Sequence, residues 1–236
     1  MIDDLDKGFT FSGLRPDQLG LPAVAAAYIA PTAVRIGYNP DAISGSVRER
    51  MAKIIEVGLA AVGPAGIGRV TAIESWDAST IVARGMTIQS PRWAKIVERM
   101  VSPRQLVCFV LTLGGSFDRI KARTSLFEAY VLDAWGSEMI ERTADAVEAE
   151  VSRWAMSRQT ACSRRFSPGY CDWSLADGQR RIFSLLAPTT IGVTAQESGA
   201  MLPSKSVSAV IITADRIPLA YPCPFCGQRD CDHRRP

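Results

Sequence analysis

One apolar stripe at helical spacing constrains the fold of this chain more than any other feature. Its members step along the sequence by 4, 3, 4 and 3 positions: Ile140, Ala144, Val147, Val151 and Trp154. This spacing places every member on one face of an α-helix. A helix of about 25 residues here would be roughly 38 Å long, enough to cross a domain. Gly136 is a position where the helix could break.

A second, acidic stripe follows the same spacing on an adjacent face of the predicted helix. Its members are Glu141, Asp145 and Glu148. Residues three and four apart are neighbours on a helix surface, so three carboxylates lie together there.

Periodicity also predicts the elements that precede this helix. Apolar residues recur at helical spacing over 47–62, and the Pro-Ala-Gly sequence at 64–66 ends that helix. Segments 69–75 and 81–88 are rich in β-branched residues and predict a pair of strands. The continuous apolar run 106–111 has strand length and predicts a central strand. A tight strand-to-helix turn is expected to follow it.

The C-terminal half predicts one more helix and one more strand pair. A short helix is expected over 175–186, and strands over 190–196 and 207–214, paired through Pro203-Ser204. The expected class is therefore α+β, with a mixed or antiparallel sheet and a long central helix. Residues 1–217 are expected to form one domain, and residues 218–236 a Cys-rich C-terminal tail.

Composition narrows the class of protein. The chain has 236 residues, 47% of them apolar and 22% charged, which is typical of a soluble globular protein. Its net charge of +3 is too small to indicate nucleic acid or a membrane surface, and its apolar runs are shorter than the roughly 20 residues that span a bilayer. The N-terminus lacks the basic start of a signal peptide. A cytoplasmic protein is expected.

The segment 164–173 concentrates groups that bind small molecules. It contains two arginines, a Pro-Gly corner, Tyr170 and Trp173 within ten residues. Guanidinium groups bind anions with parallel hydrogen bonds, and a Pro-Gly turn fixes the backbone close to a ligand. The segment therefore predicts the lip of a small-molecule pocket.

The order Arg-x-x-x-Gly-Tyr, then a helix, a strand, Glu-Ser and a second strand, resembles the S-adenosylmethionine-binding activation domain of cobalamin-dependent methionine synthase. The likeness covers roughly residues 105–231. It is closer to short stand-alone proteins of this type, which carry a similar Cys-rich tail. The resemblance implies an α+β fold of the activation-domain kind.

The resemblance also implies roles for particular residues. Arg165 would hold the carboxylate of S-adenosylmethionine, with Arg164 as the alternative. Ser167 would offer backbone groups, Tyr170 would flank the ligand, and Glu141 would lie near its cationic groups. Glu197, from the Glu-Ser pair, is a further candidate for ligand binding.

Some positions depart from the family pattern. Gln159 stands where the family has a second glutamate, and Ile211 where it has an aromatic residue on the last strand. An N-terminal Asp-Trp ligand motif is missing. These departures imply weaker binding of S-adenosylmethionine rather than another fold.

The tail carries a metal-like pattern. Cys-Pro-x-Cys-Gly at 223–227 is a turn that points two thiolates at one metal, and Cys231 and His233 would complete four ligands. Zinc is the first expectation. An iron–sulfur cluster would need a fourth thiolate, such as Cys162 or Cys171. A reduced, irregular tail without metal is the alternative.

Together these features predict an auxiliary protein for a cobalamin-dependent methyltransferase. The resemblance implies a methionine synthase without its own activation domain as partner, with a separate electron donor. The chain has no Asp-x-His-x-x-Gly loop and a single histidine, so cobalamin would be carried by that partner. The lip around Arg164, Tyr170 and Trp173 is the expected contact surface.

One other function stays open, which is a non-catalytic corrinoid-protein or metal-binding adaptor that kept the fold and lost the ligand. Nucleic acid is not expected, because the tail arginines Arg229, Arg234 and Arg235 are fewer than the about 6 to 10 phosphate contacts of strongly salt-dependent DNA binders.

Overall fold

The computed structural model describes residues 8–231, in which helices and strands are interspersed along the chain. The strands are β1 (Phe9–Phe11), β2 (Ala65–Trp76), β3 (Thr80–Ala83), β4 (Met86–Gln89), β5 (Val101–Thr112), β6 (Ala161–Cys162), β7 (Thr194–Ala195), β8 (Met201–Leu202) and β9 (Ser206–Arg216). The α-helices are α1 (Ala26–Arg35), α2 (Gly45–Ala61), α3 (Pro91–Val97), α4 (Gly115–Lys121), α5 (Leu126–Ser157) and α6 (Leu175–Leu186). Short 3-10 turns are Pro16–Leu19, Pro40–Ala42, Pro188–Ile191 and Cys223–Phe225.

The main sheet confirms the predicted α+β class, in its antiparallel form. Strand order is β4-β3-β2-β5-β9-β6, with β1 added alongside β2, and every pair is antiparallel. Strand β5 lies in the middle, as its apolar run predicted. It pairs with β2 on one side and with β9 on the other.

Helix α5 is the predicted long helix, and it is longer than the stripe alone indicated. It spans 32 residues and begins at a capping box, in which Ser125 and Glu128 satisfy each other's backbone N–H groups. Gly136 does not break it. A Cβ at that position would lie 2.5 Å from the Phe117 ring, so glycine is needed there for close packing with α4.

The sheet is covered on both faces, because successive residues of β5 and β9 point to opposite sides. Val107, Phe109 and Ile211 belong to the core that α1, α2 and α5 cover. Leu106, Val110 and Ile212 belong to a second core, formed with β3, β4, α3 and α6. The sheet therefore separates the long helix from α6.

Two strand predictions were wrong in detail. Segment 81–88 is a hairpin of β3 and β4 that turns at Gly85, rather than one strand. Segment 190–196 does not pair with β9, because β5 occupies one edge of β9 and β6 with Phe166 occupies the other. Its residues form a 3-10 turn and the short strand β7, which pairs with β8.

Among the described helices, none combines the length and the apolar character required to cross a membrane.

Candidate functional site

A cavity of about 550 Å³ opens where the lip segment, the long helix and the C-terminal tail meet. Ile140 and Glu141 of α5 form one wall, and residues 206–208 of β9 form another. Gln179 of α6 also faces it and accepts a hydrogen bond from Ser208 Oγ at 3.0 Å. Residues 164–171 of the predicted lip, which was expected over 164–173, line the cavity, whereas Asp172 and Trp173 do not.

The lip is held by its aromatic residues. Phe166 forms a β-bridge with Val210, which attaches the lip to the free edge of β9. The Phe166 ring stacks between Trp93 at 4.8 Å and Trp173 at 5.5 Å, measured between ring centroids. Trp173 is buried, so the prediction that it is an exposed contact residue was wrong. Stacking takes its ring into the core, while Tyr170 stays about half exposed.

Polar bonds and a close helix contact fix the rest of the lip. The Asp172 carboxylate accepts from Ser90 Oγ at 2.5 Å and from the Arg92 backbone N–H at 2.9 Å, at the start of α3. Helix α6 approaches so closely that a Cβ on Gly178 would lie 2.7 Å from Pro168 and 2.9 Å from Trp173. The lip is therefore fixed from both sides before any ligand binds.

Arg165 lies at the centre of the charged groups. Its Nη2 donates to Glu141 Oε2 at 2.6 Å, and its Nη1 donates to Glu148 Oε2 at 2.8 Å and to Asp145 Oδ1 at 2.5 Å. Burial lowers the pKa of Arg165, but the bonds to Asp145 and Glu141 outweigh burial and raise the pKa above its ordinary value. The guanidinium is therefore a permanent cation.

The balance of charge at this cluster is negative. Arg164 donates to Glu148 Oε1 at 2.9 Å, so two guanidinium groups face the three carboxylates of the acidic stripe. One net negative charge remains next to the cavity, which favours a cationic ligand. Glu148 is buried, whereas the Asp145 side chain is 65% exposed.

Most of the predicted ligand residues lie together. Arg164, Arg165, Ser167, Tyr170 and Glu141 all line the cavity. Burial raises the pKa of Tyr170, Glu141 raises it further, and Arg165 opposes both, so the phenol is neutral near pH 7.

Glu197 and the two substituted family positions lie elsewhere. Glu197 is exposed between β7 and β8 and is not among the lining residues. Gln159 is exposed just beyond the end of α5, and Ile211 is buried in the core under that helix. Neither Gln159 nor Ile211 is among the residues that line the cavity, so these two differences from the family pattern leave its wall unchanged.

Sequence reasoning did not assign Asp145 and Glu148 to the site. Their signal was the acidic stripe, which runs on the same face of α5 as Glu141. Which cation the stripe would meet depends on the tertiary contact between α5 and the lip.

The tail packs against the domain and closes one side of the cavity. The Arg164 N–H donates to the Ala220 carbonyl at 3.0 Å, and the Phe225 ring lies 4.8 Å from the Arg99 guanidinium. Cys223, Cys226 and Cys231 line the cavity together with Cys171 of the lip. Burial, with Cys226 next to it, raises the pKa of Cys171 to about 12.

The metal site predicted for the tail lies only partly within the described residues. His233 lies outside the described residues. Within residues 8–231, no group of three His, Cys, Asp or Glu side chains is arranged to hold an ion directly. The set of Cys223, Cys226, Cys231 and His233 stays a prediction.

Comparison with known proteins identifies a similar fold. No family model matches the chain, and no curated protein matches it either. Among solved structures, the crystal structure of the MetH reactivation domain bound to AdoHcy superposes with a TM-score of 0.60. The match covers 94% of this chain and 82% of that one, at 14% sequence identity. The chain therefore has the fold of that reactivation domain, with long helix and antiparallel sheet in common.

Proposed function

We propose that the cavity binds S-adenosylmethionine and that the chain serves the reductive reactivation of a corrinoid-bearing methyltransferase. The observation that carries the proposal is the Arg165–Glu141 pair, 2.6 Å apart at the cavity wall. The pair occurs in a chain that shares its fold with the MetH reactivation domain, which was crystallised with AdoHcy bound. AdoHcy is S-adenosylhomocysteine, the product that S-adenosylmethionine leaves after it gives up its methyl group.

The pair is suited to the amino acid end of the ligand. The Arg165 guanidinium binds a carboxylate through a charge-assisted hydrogen bond, and the Glu141 carboxylate attracts an ammonium or sulfonium group. Both charges of a zwitterion are thereby matched by one pair of neighbouring side chains.

Binding requires an exchange at Arg165, because its Nη atoms already donate to three carboxylates. Asp145 is the partner most easily replaced, since its side chain is 65% exposed and water can solvate it once released. Glu148 is buried and stays in place. The ligand carboxylate takes the place of Asp145, so the number of charges around Arg165 is unchanged.

The remaining lip residues position the other parts of the ligand. Gly169 has φ of +89°, and Tyr170 N–H donates to the Ser167 carbonyl at 3.2 Å, so a tight turn faces the cavity. Ser167 offers backbone groups there, and the Tyr170 ring supplies a flat apolar face.

The chemistry belongs to the partner's corrinoid. After one-electron reduction of its cobalt by a separate electron donor, the methyl group of the sulfonium passes to that cobalt and S-adenosylhomocysteine remains. The role of this chain is to hold the methyl donor at the right place. Methionine synthase without its own activation domain is the proposed partner.

A non-catalytic adaptor is the second candidate, and one observation favours it. Arg165 is fully engaged by Glu141, Asp145 and Glu148 within the chain, so it has structural partners even without a ligand. In that case the ion pairs between Arg165 and these three carboxylates would serve only to attach the lip to α5.

Calorimetry with S-adenosylmethionine and S-adenosylhomocysteine distinguishes the two candidates. We expect a dissociation constant between about 10 μM and 1 mM, or roughly −7 to −4 kcal/mol. Arg180→Ala is the control for an Arg165→Ala variant. Arg180 is exposed on α6 and is not among the lining residues, so its loss should leave binding unchanged. No heat and no thermal shift at millimolar ligand would leave the adaptor as the better candidate.

A second assay addresses the reaction. A methyltransferase carrying cob(II)alamin is mixed with a reductant, S-adenosylmethionine and this protein, and methylcobalamin is followed by absorbance. We expect formation to be faster with the protein present. Equal rates with and without it, over several partners, would refute the reactivation role even if the ligand binds.

A further inference from the structure

The cavity extends to both faces of the main sheet, because β9 has a free edge there. Strand β6 pairs with β9 only at Thr213 and Ala214, and Phe166 forms its bridge at Val210. In the described part of the chain no strand pairs with this edge at 206–208, and these residues line the cavity. A ligand can therefore pass around the edge of β9, from the α5 face of the sheet to the α6 face.

Alternation along β9 assigns its lining residues to the two faces, since successive side chains of a strand point to opposite sides. Ile211 belongs to the core under α5, whereas Val210 and Ile212 belong to the core on the α6 side. Ser208 is two residues from Val210, so its side chain is also on the α6 side. Glu141 belongs to α5. The cavity therefore has a charged end at Glu141 and a second end at Ser208.

Gln179 of α6 lies at this second end and carries an unused donor. It is 3% exposed, and Ser208 is 2% exposed. Ser208 Oγ donates to Gln179 Oε1 at 3.0 Å, and within residues 8–231 the amide nitrogen Nε2 has no hydrogen-bond partner. Nε2 is not one of the fully enclosed atoms that lack a partner, so it reaches the cavity surface. An amide donor this deeply placed favours a ligand that brings an acceptor.

Close packing fixes the position of Gln179. The residue before it is Gly178, where a Cβ would lie 2.7 Å from Pro168 of the lip. Leu175 is one turn earlier on the same face of α6, and it lines the cavity together with Pro168 and Met201. Met201 packs against the core on the α6 side. The second end therefore combines apolar walls with one fixed amide group.

We propose that this second end, formed by Gln179 and Ser208, binds the adenine ring of S-adenosylmethionine and selects a 6-aminopurine. The inference rests on the proposed function, in which Arg165 and Glu141 hold the amino acid end of the ligand. A glutamine amide matches the edge of adenine, because Nε2 donates to a ring nitrogen and Oε1 accepts from the 6-amino group. Oε1 has two lone pairs, so it can accept from Ser208 and from adenine together.

The bond from Ser208 makes this subsite selective. Hypoxanthine carries a 6-oxo group where adenine carries its amino group, so two oxygen acceptors would face each other at Gln179 Oε1. Rotation of the amide by half a turn would relieve that contact, but it would remove the acceptor of the Ser208 hydroxyl. Gln179 is therefore the specificity-determining residue, and Ser208 is a positioning residue.

Calorimetry with S-adenosylhomocysteine and with S-inosylhomocysteine, which carries the 6-oxo base, tests the subsite. The wild type should bind the adenosyl compound about tenfold more tightly than the inosyl compound. Gln179→Met keeps the length of the side chain without the amide, so it should bind the two compounds within about twofold of each other. Ser208→Ala frees the amide to rotate and should also lower the ratio.

Gln89→Met is the matched control, because Gln89 is exposed on β4 and is not among the lining residues. It should keep the wild-type ratio of the two affinities. Thermal unfolding of each variant establishes that it is folded. A ratio of affinities for two ligands of one shape is not moved by a change in stability alone.

Equal affinity of the wild type for the two compounds would overturn the inference and leave the proposed function intact. A folded Gln179→Met that keeps the full ratio would do the same. Adenosine alone probes the subsite without the amino acid end of the ligand. Adenosine bound by the wild type and lost in Gln179→Met would support the subsite even where S-adenosylhomocysteine does not bind. Binding of neither compound would refute the inference together with the proposed function.

Discussion

The Arg165 guanidinium donates to the Glu141 carboxylate at 2.6 Å, and this bond joins the lip of the cavity to the long helix. The same guanidinium also neutralises the buried Glu148. One arginine therefore has two roles, since it attaches the lip to α5 and presents a cation to the cavity. A substitution at Arg165 changes both stability and ligand binding, and the two effects must be measured separately.

Arg165→Ala should lower the free energy of unfolding by about 1 to 3 kcal/mol, because the buried Glu148 then keeps only Arg164 as its partner. It should also weaken S-adenosylmethionine binding by about 1.5 to 3 kcal/mol through loss of a charge-assisted pair. Arg165→Lys keeps the charge but not the planar fork, so it should recover stability better than affinity. Denaturant titration and calorimetry give the two quantities. A folded Arg165→Ala with wild-type affinity would contradict the assigned role.

Asp145→Asn and Glu141→Gln should change affinity in opposite directions. Asp145 competes with the ligand carboxylate for Arg165, so its neutral variant should bind S-adenosylmethionine about threefold to tenfold more tightly. Glu141 attracts the cationic groups of the ligand, so its neutral variant should bind about tenfold more weakly. Both are measured by calorimetry at low salt. If both variants bind more weakly, Asp145 is not displaced by the ligand.

The sequence predicted those parts of the molecule that local pattern determines. The stripe from Ile140 to Trp154 identified α5, but the acidic stripe beside it did not indicate which cation it would meet. The partners of β9 and the docking of the tail depend on contacts between distant segments, and periodicity carries no information about them. Trp173 shows the same limit, because an aromatic residue in a polar turn has the same local pattern whether its ring is exposed or stacked.

Gly178→Ala should destabilise the protein by about 1 to 3 kcal/mol, because the added Cβ would overlap Pro168 and Trp173. The lip would have to move away from α6, so ligand affinity should also fall. Gly45→Ala in the first turn of α2 is the matched control, since a Cβ there meets nothing within 4 Å. That control should stay within about 0.5 kcal/mol of the wild type. Equal stability of the two variants in denaturant would show that the lip adapts without cost.

Asp133 should make the stability of the fold depend on pH in the acidic range. Its carboxylate accepts from Lys121 Nζ at 2.8 Å and lies 3.0 Å from Lys205 Nζ, so it joins α5 to α4 and to the residue that precedes β9. Burial raises its pKa, but the two lysines outweigh burial and lower the pKa below the ordinary value of 3.8.

A lowered pKa in the folded state means that the charged form favours folding. The contribution is fully present above about pH 3.8 and is lost as the pH falls through the lower folded value. Asp133→Asn removes this contribution, so the variant should melt below the wild type near neutral pH, and the difference should shrink under acidic conditions. The Asp133 side chain is 47% exposed, so the difference should not exceed about 1 kcal/mol. Thermal midpoints of both proteins across the pH range measure it, and a difference independent of pH would show that Asp133 acts through packing rather than charge.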